Sequence, residues 1–135
     1  MPAAECPARN RMWVAVALVL TIALGLLSRR FPLPGILAEY TGDALYTCAG
    51  FAGLAFLFAA ARTRSLAIAA FSLSAAVECS QLLSWPWLDD LRSTLFGRLL
   101  LGSGFKWADW IAYMCGAIAA AAVDSALSKR RVCKA

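Results

Sequence analysis

The sequence predicts an all-α membrane protein, a bundle of four transmembrane helices with an interfacial amphipathic helix between the third and the fourth. Three observations lead there. Hydrophobic residues fill 61% of the 135 positions and charged residues 16%, against roughly 45–50% and 25% in soluble domains. A soluble fold of this length buries too little surface to hide so much apolar area. The apolar residues also gather into four continuous runs separated by short charged segments. A backbone in lipid must satisfy its own hydrogen bonds, which leaves helices or closed barrels, and barrel strands would alternate where these runs do not. Residues 1–135 are therefore read as a single domain.

The spans fall at about residues 12–28, 44–61, 65–83 and 110–127. At 1.5 Å per residue each reaches roughly 26–28 Å, close to the thickness of a hydrocarbon core. Arg9 and Arg11 ahead of the first run give it the look of a signal peptide. No clean small-x-small cleavage site follows, and Arg29 and Arg30 come at once, so an uncleaved first span is expected. Thr41 or Asp43 is expected to cap the second span. Between the third and fourth, Leu88, Leu91, Leu95 and Leu99 recur at helical steps after Pro86, with Asp89, Asp90, Arg92 and Arg98 between them. That pattern predicts the interfacial helix, with Trp85, Trp87, Trp107 and Trp110 marking the headgroup level. Its plain role is to lid the bundle, and its sharper one is to carry Arg92 over a pocket.

Of the 13 Lys and Arg residues, eight fall on the side shared by the termini and the Arg62 to Arg64 turn. They are Arg9, Arg11, Arg62, Arg64, Lys129, Arg130, Arg131 and Lys134. Arg29, Arg30, Arg92, Arg98 and Lys106 fall on the other, so both termini are expected in the cytoplasm, with the chain a multi-pass protein of the bacterial inner membrane. A net charge of +5 is met by anionic headgroups and calls for no nucleic acid. Membrane lipids are the expected partners, with a homo-oligomer left open.

Several chemistries are excluded. The five Cys residues form no C-x-x-C pair, which argues against a disulfide framework or redox relay, and there is no His. No metal site, cofactor or known soluble-enzyme signature is expected. The acidic residues are more informative. Asp43 before span two, Glu78 near the outer end of span three and Asp109 before span four converge on the outer leaflet, with Arg29, Arg30 and Arg92 at the same level. An ionisable group within a span is expensive and marks a functional site by default. Ala67, Ala70, Ser74, Glu78 and Gln81 follow steps of three and four, a small and polar stripe that belongs against protein, with Leu66, Leu73, Val77 and Leu82 mostly elsewhere. The pocket candidates are thus Glu78, Gln81, Arg92, Asp109, Asp43, Arg29 and Arg30, none with an assigned catalytic role. A clamp that only fixes helix packing is the competing reading of Glu78.

The motifs Arg29-Arg30-x-Pro32, Tyr40-x-Gly42-Asp43-Ala44-Leu45-Tyr46, Glu78-x-x-Gln81, Leu91-Arg92-x-Thr94-x-x-Gly97 and Gly102-x-Gly104-Phe105-x-Trp107-x-Asp109 resemble the uncharacterised bacterial membrane family catalogued as domain of unknown function 2809. Glu78-x-x-Gln81, Arg92, and Asp109 with Gly116 seven residues on are more distantly similar to VanZ-like proteins, whose founding members are linked to teicoplanin resistance. The resemblance implies a membrane bundle with a polar site and names no substrate. Three function classes fit. The first is a non-enzymatic protein whose outer pocket binds a lipid or amphiphile and alters envelope properties. The second is a small membrane enzyme using Glu78 or Asp109 as acid or base on a lipid-linked substrate. The third and weakest is a proton-coupled carrier.

Overall fold

In a computed structural model that describes residues 8–31, 33–102 and 104–132, the chain is all α, with six helices and no strand among those residues. Four helices are long: α1 (Arg11–Arg30), α2 (Ile36–Leu57), α3 (Thr63–Ser80) and α6 (Asp109–Val132). Two are short and join α3 to α6, namely α4 (Pro86–Ser93) and α5 (Leu95–Leu101). Cys6, Pro32, Cys133 and Lys134, which figured in the sequence reading, lie outside the described residues.

Local chemistry sets the boundaries. The Asn10 side chain caps α1 by accepting from the Met12 N–H, and Arg29 and Arg30 in its last turn meet the negative end of the helix dipole. Helix α2 starts well before the expected residue 44. Gly35, at φ 69°, turns the chain, and Ile36, Leu37 and Ala38 begin the helix directly. Thr41 and Asp43 therefore lie inside α2 and cap nothing. The Thr41 hydroxyl donates to the Leu37 carbonyl one turn back, 2.6 Å away. The early start also puts Glu39 and Asp43, four residues apart, on one face of the same helix.

The single interfacial helix is a correction of the same kind, since the segment breaks in two at Thr94. That residue is extended (φ −75°, ψ 154°), and its hydroxyl donates to Leu91 O at 2.7 Å while accepting from Gly97 N–H at 3.0 Å. A side chain that satisfies the end of one helix and the start of the next competes with continuing the helix through it. Only Leu88 and Gly97 of this segment are buried.

Helix α2 is central. It packs on α1, α3 and α6, and α3 packs on α6, while α1 leans on α2 and buries no residue completely. At the α2–α6 crossing Gly116 meets the backbone of Ala44 so closely that any Cβ would strike its carbonyl. The Cys48 thiol donates to Gly116 O across the same contact, at 3.3 Å. Small residues thus set the approach, as they do between helices in lipid. The apolar core is modest and consists of Phe51, Ala55, Leu66 and Ala70. On α3 the buried face is Leu66, Ala70, Ser74 and Glu78, an unbroken i,i+4 ladder, so Leu66 joins the stripe from which the sequence reading had set it apart. Thr47 and Ser74 share a hydrogen bond of 2.9 Å between α2 and α3, both buried.

Outside, the pattern inverts. Val19, Leu57, Ile68, Leu73, Ile118 and Val123 are exposed. Two helical stretches, Arg11–Arg30 and Asp109–Lys129, are long and apolar enough to cross a membrane.

Candidate functional site

The four long helices alternate in direction, so the C-terminal ends of α1 and α3 meet the N-terminal ends of α2 and α6. A cavity of about 410 Å³ opens at that end. Arg29 lines it from α1, Glu39, Asp43 and Tyr46 from α2, Glu78 and Gln81 from α3, and Asp109 and Tyr113 from α6. Arg98 of α5, the following Gly102, and Lys106 also line it.

Glu78 organises this region. It is 1% exposed, and each of its contacts comes from a donor. Oε1 accepts from the Lys106 backbone N–H at 2.7 Å, and Oε2 accepts from the Tyr113 hydroxyl at 2.9 Å and the Gln81 amide at 3.2 Å. One carboxylate thereby ties α3 to α6 and to the loop before it. The three bonds supply what a buried carboxyl group loses on leaving water. The Gln81 amide also donates to Leu101 O at 2.9 Å. Gly102, at φ 68°, ends α5 against that amide, where a Cβ would be 2.5 Å from Gln81 Nε2. The positive φ favours glycine there, and a side chain would push the Gln81 amide aside.

Asp109 differs from Glu78. It is 7% exposed, yet its Oδ1 is buried and accepts no hydrogen bond, and the Gln81 Oε1 is in the same condition. Both residues line the cavity. Unlike these deep acceptors, the cations are shallow. Arg29 and Arg98 are exposed, and Lys106 is bonded to Glu39 across the mouth. The Lys106 amine is held above its ordinary value, first by its hydrogen bond to Glu39 and then by the charge of that carboxylate. Tyr46 of α2 reaches Leu100 O at 2.9 Å and fixes the end of α5 over the opening.

Of the residues singled out from the sequence, Glu78, Gln81, Asp109, Asp43 and Arg29 line this one cavity. Arg92 and Arg30 do not. The Arg92 guanidinium turns to the C-terminal end of α3, donating to Ser80 O at 2.5 Å and Leu83 O at 3.3 Å, with Asp89 beside it at 3.3 Å. It caps a helix, which is where a cation meets orphan carbonyls. Arg98, one helix further on, stands at the cavity instead. Glu39 escapes the sequence analysis because the segment before residue 44 is read there as a loop, and Tyr46 and Lys106, on the expected second span and before the fourth, carry no pattern that singles them out. Had α2 been started at Gly35, the Glu39 to Asp43 spacing would have found Glu39.

Chemically the cavity is amphoteric, with acceptors at its floor and cations at its mouth. Among the described residues no group of three or more His, Cys, Asp or Glu side chains is placed to hold a metal ion. The family model described as protein of unknown function (DUF2809) matches residues 32–117. That range takes in every cavity-lining residue except Arg29. No solved structure matches the chain.

Proposed function

The chain belongs to the DUF2809 family of proteins of unknown function, and from that premise we propose a four-span membrane protein whose polar cavity binds the head of a lipid or other amphiphile. The observation that carries this reading is the inversion of polarity. The largest fully buried side chains are Glu78 and Thr47, while large apolar side chains cover the outside of α1, α2, α3 and α6 alike. Water leaves such a surface unsatisfied, and lipid matches it. The polar residues Thr47 of α2 and Ser74 and Glu78 of α3 face inward. Helix lengths from 18 residues in α3 to 24 in α6 correspond to about 27–36 Å, enough to span. The basic excess on the side of the termini and the α2–α3 turn orients them to the cytoplasm of a bacterial inner membrane, so the cavity opens to the outer leaflet. An effect on envelope properties, as the resemblance to VanZ-like proteins implies, fits a lipid-binding site on that side.

Two measurements test this. With the native cysteines replaced, Leu33→Cys and Gly104→Cys should react with an impermeant thiol reagent in intact cells, and Ala60→Cys should not. Reaction of Ala60→Cys from outside overturns the orientation. Native mass spectrometry of the protein from mild detergent should show a retained amphiphile, and a bare protein under conditions that preserve lipid on other membrane proteins overturns the binding reading. A second reading, an enzyme acting on a lipid-linked substrate, is favoured by one group only. Asp109 has a free oxygen at the cavity, whereas the three donors on Glu78 leave it poorly placed to move a proton. Turnover of labelled lipid extract would identify that activity.

A further inference from the structure

We propose that the cavity recognises a zwitterion, with a primary ammonium held inward by Asp109, Asp43 and the Gln81 amide oxygen and a phosphate held outward by Arg29 and Arg98. This rests on the amphiphile-binding reading and names its ligand class. The floor of the cavity has acceptors that lack donors. Asp109 Oδ1 and Gln81 Oε1 are both buried without a hydrogen-bond partner, and Asp43 lines the same space. Buried acceptors left unpaired are expensive, so a ligand that brings several N–H groups together is the natural complement. A primary ammonium brings three such donors and a charge of the right sign for two carboxylates. A bare metal ion is a poorer match, since among the described residues no three or more His, Cys, Asp or Glu side chains are grouped to hold one.

The mouth asks for the opposite charge. Lys106 is taken up by Glu39, while Arg29 and Arg98 line the opening at exposed positions. A guanidinium is well shaped for a phosphate, binding two oxygens at once. Burial therefore orders the ligand, with the cation deep and the anion shallow. At about 410 Å³ the cavity falls in the size range of small-molecule sites, roughly 300–1,000 Å³. Phosphoethanolamine has this arrangement, either as a lipid headgroup or free in solution.

The test uses the full chain in mild detergent, offered equal amounts of phosphatidylethanolamine, phosphatidylcholine and phosphatidylglycerol and read by native mass spectrometry. Phosphatidylcholine keeps the phosphate and the positive charge but has no N–H donor, and phosphatidylglycerol lacks the amine altogether. Retention of phosphatidylethanolamine should exceed that of either by about tenfold, the scale of one charge-assisted hydrogen bond. Asp109→Asn should abolish the preference, and Arg98→Ala should weaken retention of all three. Displacement of the lipid by soluble O-phosphoethanolamine would assign recognition to the head alone, and retention against it would assign the lipid as the source. Either supports the proposal. Equal retention of the three lipids by the wild-type protein overturns it while leaving the amphiphile reading intact, and retention of none overturns both. An unchanged preference in folded Asp109→Asn also overturns it, and the wild-type comparison stands if that variant does not fold.

Discussion

The two ends of the helix bundle both draw charge inward, and they use it in opposite ways. At the end away from the cavity, Arg9 meets Asp124 of α6 through Nε–Oδ1 at 2.8 Å and Nη2–Oδ2 at 2.6 Å. Its remaining contacts run to Ala59 O at 3.1 Å, Ala61 O at 2.6 Å and the Thr63 hydroxyl at 3.0 Å. That hydroxyl in turn donates to Asp124 Oδ2 at 2.6 Å. A guanidinium has five N–H groups, and each is used here. The cluster is closed, joining the segment before α1 to the α2–α3 turn and to α6. At the other end Glu78 is equally saturated, but Asp109 and Gln81 beside it keep free acceptors facing an open cavity. Full pairing marks a fastening, and incomplete pairing next to empty space marks a place for something else to bind.

The largest expected effect belongs to the closed end. Arg9→Ala takes five guanidinium hydrogen bonds from a cluster in which the Asp124 side chain is 12% exposed, and removing one member of a buried pair costs up to about 3–5 kcal/mol. Unfolding in mixed micelles should show that loss. A double variant, Arg9→Met with Asp124→Leu, should recover much of it, because both charges then leave the interior together. A cost for Arg9→Ala below that of an exposed ion pair would show that this end is not the fastening it resembles.

Glu78→Gln comes next. An amide keeps the shape of a carboxyl group, and for a residue that only supplies charge the exchange is close to neutral. Here the Lys106 N–H, the Tyr113 hydroxyl and the Gln81 amide all donate to Glu78, so the new NH₂ must face at least one donor. Losing that acceptor should destabilise by about 1–3 kcal/mol. Asp109→Asn should move stability less, since the oxygen it changes accepts nothing within the protein. The pair separates scaffold from site: lipid retention should fall with folded yield in Glu78→Gln and independently of it in Asp109→Asn. Equal stability losses in the two variants would erase the distinction.

How much of this was legible in the sequence depends on the range of the interactions. The helices and the inward stripe on α3 follow from local periodicity, and the meeting of Asp43, Glu78 and Asp109 follows from alternating helix direction. The Thr94 break was obscured because leucines recur at helical steps on both sides of it, and the side-chain bonds that stop the helix leave no mark on that pattern. Arg92 was misplaced for a related reason, since its position in the amphipathic stretch says nothing about which way a long side chain turns. The Arg9 to Asp124 pair was invisible. Its members are 115 residues apart, and Arg9 taken alone reads as a flanking charge at the start of a span.

The smallest expected effect is at the rim, where Glu39 and Lys106 bridge the cavity mouth with both side chains about half exposed. An exposed ion pair is worth little, because solvent and salt screen it and two long side chains must be ordered to make it. Glu39→Gln should therefore shift thermal unfolding only marginally, and the shift should vanish as salt is raised. The pH dependence has a definite sign. Lys106 titrates above its ordinary value of 10.5 in the folded chain, so its contribution is complete below that pH and disappears as pH rises through the higher folded value. Between pH 7 and 9, the difference in unfolding temperature between wild type and Glu39→Gln should stay constant with pH and fall with salt alone. Binding should respond differently, because removing Glu39 frees the Lys106 amine beside Arg29 and Arg98. An anionic headgroup should then be held more tightly in low salt. Weaker retention of every phospholipid in Glu39→Gln would mean that the bridge shapes the mouth instead of occupying one of its cations.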